Sequence, residues 1–165
     1  SIAALIVYLY SKIHPSAILD ISTAIKSTRY SRSKLTGIDT RTILLKLNNL
    51  MEHELYFADE DLRLSTLADA VKVTPHQLSE LINVNFNMSF ITFINSHRIH
   101  SACDMLIKEN RNILSIGFAV GFNSKSAFNR VFKQLIGTSP GNFRKNRTKY
   151  NEAILKLKEK LRPNL

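Results

Sequence analysis

Cysteine, glycine, proline and acidic residues are all scarce in this chain, and each scarcity closes a route. A single cysteine among 165 residues, Cys103, leaves no partner for an internal disulfide and cannot supply a four-thiolate zinc site. A reducing compartment is the simplest setting for such a chain. Five glycines and four prolines are too few for a low-complexity segment. No glycine-rich phosphate loop, G-x-S-x-G elbow or H-E-x-x-H pair occurs. The chain therefore reads as a non-enzyme that calls for no cofactor. Acidic residues number 13 against 23 lysines and arginines, a net charge of +10. That balance suits a polyanion such as nucleic acid or an anionic membrane surface, although charge alone names neither.

A membrane span of about 20 apolar residues is also missing. The apolar run from Ile2 to Tyr10 is too short for one, and it lacks the basic start and cleavage motif of a secretory signal. Two readings of it stand: an ordinary buried helix, or the cytoplasmic end of a span. Tyr8 and Tyr10 beside Lys12 fit a membrane border, and Lys26, Arg29, Arg32, Lys34 and Arg41 follow against Asp20 and Asp39. Residues 1–12 are read as this apolar helix and residues 13–39 as a basic tether rich in Ser and Thr.

What remains is helical. Hydrophobic residues make up 44% of the chain, enough for a real core in one domain with an appendage. Asp39 or Thr40 can cap a helix whose apolar stripe runs through Leu44, Leu47, Leu50 or Met51 and Leu55. A short helix follows over residues 65–71, with Ser65 as its cap. Thr74-Pro75-His76-Gln77 then opens another, with Thr74 capping, Pro75 in the first helical position and Gln77 reaching back. Leu78, Leu81 and Ile82 form the buried stripe of that helix.

The segment repeats. Ala70-Val71-Lys72-Val73 returns 49 positions on as Ala119-Val120-Gly121-Phe122. Leu78, Leu81 and Ile82 return 50 positions on as Phe128, Val131 and Phe132, so the second turn is one residue longer. Gly121 sits where a helix must stop and can take a left-handed backbone without strain. Ala119, Val120, Phe122, Phe128, Val131 and Phe132 are spaced to share a small core. Two copies are too few for a solenoid; they fit two tandem helix-turn-helix units, residues 40–88 and 110–148.

Between the units, residues 89–109 read as one long helix with Phe90, Phe93, Ile94, Ala102, Met105 and Leu106 facing inward. About 20 residues at 1.5 Å each span roughly 30 Å, against 34–36 Å between successive major-groove faces of a duplex. A stiff rod of that length places two recognition helices on adjacent turns. Residues 149–165 read as a basic C-terminal helix, with Ile154, Leu157 and Leu161 on its apolar side. The predicted class is all-α.

Candidate contact residues lie on the outward faces. On the second recognition helix Lys125, Ser126, Asn129 and Arg130 recur at one-turn spacing, and Lys133 follows. Arg pairs two-pronged with guanine and Asn with adenine; the plainer alternatives are a structural salt bridge for Arg130 and a phosphate contact for Lys125. The matching positions of the first unit are His76, Ser79 and Glu80. Glu80 can accept from cytosine N4, turn aside to a neighbouring base, or serve structure alone. Arg144, Lys145, Arg147 and Lys149 suit the phosphate backbone, or a solvated helix end. His97, His100 and Cys103 stand three residues apart on the long helix, but three-residue steps drift around a 3.6-residue turn, and a core or surface role is the better reading.

Ala119-Val120-Gly121-Phe122, Phe128-Asn129-Arg130-Val131-Phe132-Lys133, Gly137-Thr138-Ser139-Pro140, and Arg98-Ile99 with Ala102 and Leu106 resemble the DNA-binding module of AraC/XylS-type transcriptional regulators. The resemblance runs from about Leu62 to Arg147. It implies a double helix-turn-helix that activates or represses transcription on double-stranded DNA, with RNA polymerase a candidate partner. Leu35-Thr36-Gly37-Ile38-Asp39, Leu50-Met51 and the run from His76 to Asn83 resemble a subgroup whose module follows membrane spans, which implies anchoring at the cytoplasmic face of the inner membrane. Glu80 departs from the basic residue many relatives carry there. No sugar-binding β-domain precedes the module, so no soluble effector is implied. Against this stands a helical adaptor whose basic face meets an acidic protein. Oligomeric state is open.

Overall fold

The computed structural model describes residues 39–163. Residues 1–12, read as the end of a membrane span, and all but the last residue of the tether read over 13–39 lie outside them; that last residue, Asp39, caps the first helix. Among the described residues there is no strand, and no helix is long and apolar enough to cross a membrane.

The described residues form eight α-helices in succession: α1 Thr40–Glu52, α2 Leu64–Val71, α3 Pro75–Phe86, α4 Phe90–Lys108, α5 Ile113–Ala119, α6 Lys125–Ile136, α7 Pro140–Lys145 and α8 Asn151–Lys160. Short 3₁₀ turns lie at Tyr56–Ala58 and Arg147–Tyr150. Local chemistry sets most of these ends. Asp39 caps α1 by accepting from the Thr42 amide. Thr74 accepts from the Gln77 amide at 3.2 Å while Gln77 Oε1 accepts from the Thr74 amide at 2.9 Å, the reciprocal box expected of that sequence. Ser89, Asn112, Ser124 and Ser139 cap α4, α5, α6 and α7.

Two helical units are built around α4. In the first, α2 packs on α3 and α3 on the start of α4, with α1 against α2 and the Tyr56–Ala58 turn. In the second, α5, α6 and α7 pack on the later turns of α4, and α8 lies against α4 and α6. Phe122, Phe128, Phe132 and Phe143 form a chain of tilted and edge-on ring contacts 5.4–5.7 Å apart inside this second core. Burying a phenyl ring contributes roughly 1.5–3 kcal/mol, so this cluster is a main source of stability there.

The repeat extends past the recognition helices. Left-handed Asn87 ends α3 and left-handed Gly137 ends α6; capping Ser89 matches Ser139, and fully buried Phe93 matches Phe143. The first turns of the linker helix are thus the third helix of the first unit.

Several sequence expectations are corrected. Leu55 does not extend the stripe of α1, because the helix stops at Glu52; Leu55 turns left-handed (φ +52°) and is half-exposed, redirecting the chain into the 3₁₀ turn. Ser65 lies inside the first turn of α2, and extended Arg63 precedes that helix with no side-chain cap bond. Ala119 is exposed; Ile116, Gly117 and Val120 supply the inward face of α5. Phe90 and Met105 are only half-buried, whereas Ser96, His97, Ile99 and Cys103 are buried. A helix covered by two units hides more than one stripe, and a single 3.6-residue period understates its core. Among the described residues of the segment read as a C-terminal helix over 149–165, the helix covers Asn151–Lys160, with Leu157 and Leu161 buried and Ile154 half-buried.

Candidate nucleic-acid interface

Opposite faces of α6 have opposite duties. Phe128, Val131, Phe132 and Ile136 lock one side into the core. Lys125, Ser126, Arg130 and Lys133 are exposed on the other, and Asn129 is half-buried between them. None of these five side chains spends its polar atoms on an ion pair or hydrogen bond among the described residues. The structural salt bridge considered for Arg130 is therefore absent there. The helix start is held by Ser124, which accepts from the Ala127 amide at 3.3 Å, and by the turn through Gly121 at φ +92°.

The first unit offers a different face on the same frame. His76 is exposed, and Ser79 and Glu80 are half-buried. Glu80 makes no ion pair among the described residues, so the pairing with a neighbouring base considered for it does not occur there. The outward face of α3 carries no lysine or arginine at these positions, while that of α6 carries Lys125, Arg130 and Lys133.

Arg144 is placed otherwise than expected. It is half-buried, its Nη2 donates to Arg111 O at 2.7 Å, and its Nε is buried without a partner among the described residues. The guanidinium ties α7 to the loop ahead of α5. Lys145 and Lys149 remain exposed.

Sequence reasoning missed the role of Arg98. Its Nε donates to Phe57 O and its Nη2 to Asp59 O, both at 2.7 Å, while the guanidinium lies 5.5 Å over the Phe122 ring. These partners lie 41 and 39 residues away, and no local spacing signals a contact at that range.

Next to Arg98 on α4, His97 stacks on Phe57 and meets Phe93 edge-on. Burial, with His100 adding to it, pushes its pKa down to about 3, so the imidazole is neutral. Its Nε2 has no partner among the described residues. His97 and His100 line a cleft of about 610 Å³ between α1, α4 and the end of α8. Cys103 is fully buried, and burial, with Asp104 adding to it, pushes its thiol up to about 12. No group of three metal-ligating side chains comes together among the described residues.

A short helix, a tight turn and a second, capped helix with a polar outer face, duplicated, is the helix-turn-helix class. Residues 67–146 match a family model described as a helix-turn-helix domain. The chain is 31% identical over 103 residues to the arabinose operon regulatory protein of Escherichia coli, covering 62% of this chain and 35% of that protein. It is 29% identical over 156 residues to an HTH-type transcriptional regulator of Haemophilus influenzae, covering 81% and 52%. Among solved structures, the C-terminal domain of AraT, a response regulator from Geobacillus stearothermophilus, superposes with a TM-score of 0.57 at 27% identity, over 64% of this chain and 85% of that one. The DNA-binding domain of AdpA, solved with a target DNA, shares the fold at a TM-score of 0.56 and 16% identity, over 65% and 96%. The matched segment is a helix-turn-helix domain, and it is similar in sequence and fold to AraC-type DNA-binding domains. This chain spans between about a third and a half of the length of the curated relatives described here.

Proposed function

We propose that this chain is the sequence-specific DNA-binding part of a transcription regulator, with α6 and α3 entering successive major-groove turns on one side of a duplex. The observation that carries the reading is the outward row Lys125, Ser126, Asn129, Arg130 and Lys133, uncommitted to partners among the described residues, on a helix whose other face is locked in the core. Arg130 suits two-pronged pairing with guanine and Asn129 with adenine. Lys125, Lys133, Lys145 and Lys149 suit phosphates, which hold register without reading sequence. His76 and Ser79 touch the groove through the first unit. Glu80, repelled by phosphates, tunes that unit by accepting from a cytosine or by weakening its grip. Arg144 acts by holding α7 in place.

Selection of bound sequences from random DNA, followed by titration against salt, tests the reading. The expected result is a consensus of two blocks one turn apart, with affinity falling steeply as salt rises. Binding indifferent to sequence and to salt, or capture of an acidic protein with no enriched DNA, would overturn it. At a promoter such a domain would act on RNA polymerase, which transcription from a consensus-bearing template would register.

The finer reading is anchoring at the cytoplasmic face of a membrane through the segment ahead of the domain. It rests on the aromatic border at Tyr8 and Tyr10 and on the bases that follow. Fractionation of the natural protein tests it: recovery without detergent sinks the anchor and leaves the DNA reading intact.

A further inference from the structure

We infer that Arg98 is the positioning residue that sets the spacing between the two recognition helices, by clamping the first unit against the turn of the second. The inference rests on the DNA-binding reading and deepens it. Three contacts converge on the short segment Tyr56–Asp59. The Arg98 fork takes the Phe57 and Asp59 carbonyls, each at 2.7 Å. The Phe57 ring, buried, stacks on His97 with centroids 6.0 Å apart. The turn of the second unit presses on the same backbone: a Cβ at Gly121 would stand 2.6 Å from Phe57 O and 2.9 Å from Ala58 O. Arg98 also lies over Phe122, the residue after that glycine, within cation–π range.

A 19-residue α4 alone would be a rod of about 28 Å that can bend and twist about its axis. The clamp closes a second connection beside the rod, from α1 and its following turn to the turn of the second unit. Two connections fix an orientation that one leaves free. Planar Arg suits this task, because two fixed donors meet two carbonyls while the flat face meets a ring. Lys offers one donor point and no face.

The test uses two readouts on the full chain. Spin labels at Val84→Cys and Gln134→Cys, both exposed and one on each recognition helix, report the distance between units without DNA; buried Cys103 stays unlabelled. The expected result is a narrow distribution in the parent and at least a twofold broader one in Arg98→Met, with Arg98→Lys between them. The second readout is the affinity for selected DNA with its two blocks moved apart by one or two base pairs. The parent is expected to lose at least tenfold on the moved blocks, and Arg98→Met less than threefold, with binding to the α6 block alone unchanged. An unchanged distance distribution in folded Arg98→Met overturns the clamp. A broadened distribution with an unchanged spacing penalty overturns its link to DNA. If the parent selects no consensus, the DNA-binding reading itself fails, and the label distances still decide the clamp. Should Arg98→Met fail to fold, Arg98→Lys carries both readouts.

Discussion

The two helix-turn-helix units share a skeleton and differ at the positions that face outward or face each other. Both recognition helices run 12 residues, start at a Ser or Thr cap and end on a left-handed residue. Inside, the pairs are matched by volume. Where the second unit has Gly117 under Phe128, the first has Ala68 and Leu78 at the equivalent places. At the turn, Lys72 takes φ +62° in the first unit and Gly121 φ +92° in the second. A side chain is tolerated at Lys72 at a cost of about 1–2 kcal/mol; at Gly121 backbone oxygens occupy the space a Cβ would need. The comparison separates what a turn requires, a left-handed residue, from what the contact between units requires, an absent side chain. The outward faces then diverge in chemistry, basic on α6 and neutral to acidic on α3.

The turn pair gives the largest expected effect. Gly121→Ala adds a strained φ to a clash with Phe57 and Ala58 carbonyls, and should cost about 2–4 kcal/mol of stability in denaturant titration. Lys72→Gly should stabilise slightly or leave stability unchanged. Equal losses at both sites would erase the distinction drawn between the turns.

Next come the faces. Arg130→Ala should cost about 1–3 kcal/mol of discrimination at one base position. Glu80→Ala should leave that position unaffected, and Lys149→Ala should weaken all sequences alike. A flat base profile unchanged by Arg130→Ala would remove its assigned role.

Acid should separate the units as well. His97 packs on Phe57 and Phe93 beside the first unit, and burial holds its folded pKa at about 3, below the ordinary imidazole value of 6.5. The unfolded chain therefore takes up a proton that the folded chain refuses. The His97 contribution is complete above pH 6.5 and is lost as pH falls towards 3, about 1.4 kcal/mol per unit and about 2 kcal/mol by pH 5. Hydrogen exchange at pH 7 and pH 5 should show α3 losing protection before α6, and His97→Leu should remove the difference. Identical losses in both helices would show that burial of His97 does not govern them.

The smallest effect belongs to the volume pair. A Cβ at Gly117 would stand 2.8 Å from Phe128 Cδ1, so Gly117→Ala should cost about 1 kcal/mol. Adding Phe128→Leu, which copies the first unit, should recover most of that loss in a double-mutant cycle. Additive losses would mean the two positions do not couple.

Much of the fold was legible because its signals are local. The Thr74–Gln77 box, the Gly121 stop and the inward Phe128, Val131 and Phe132 each depend on residues within a turn or two. The outward row on α6 was legible for the same reason, as the complement of a buried stripe. The tie of Arg144 to Arg111 O was not legible, since a basic residue near a helix end gives no local sign of a carbonyl 33 residues away. Leu55 was misread because an apolar residue at helical spacing also suits the turn that ends the helix.

The order of amphipathic periods, caps and breakers settled by itself that this chain is helical, duplicated and basic on one recognition face, since those features act over one or two helical turns. Tertiary structure alone decided how the copies meet: which arginine grips the other unit, which imidazole is stripped of water, and why one turn excludes a methyl group. The Arg98 bonds join residues 39 and 41 positions apart and the Gly121 contact reaches back to Phe57, and hydrogen bonds and packing at that range exist only after the chain has folded back on itself.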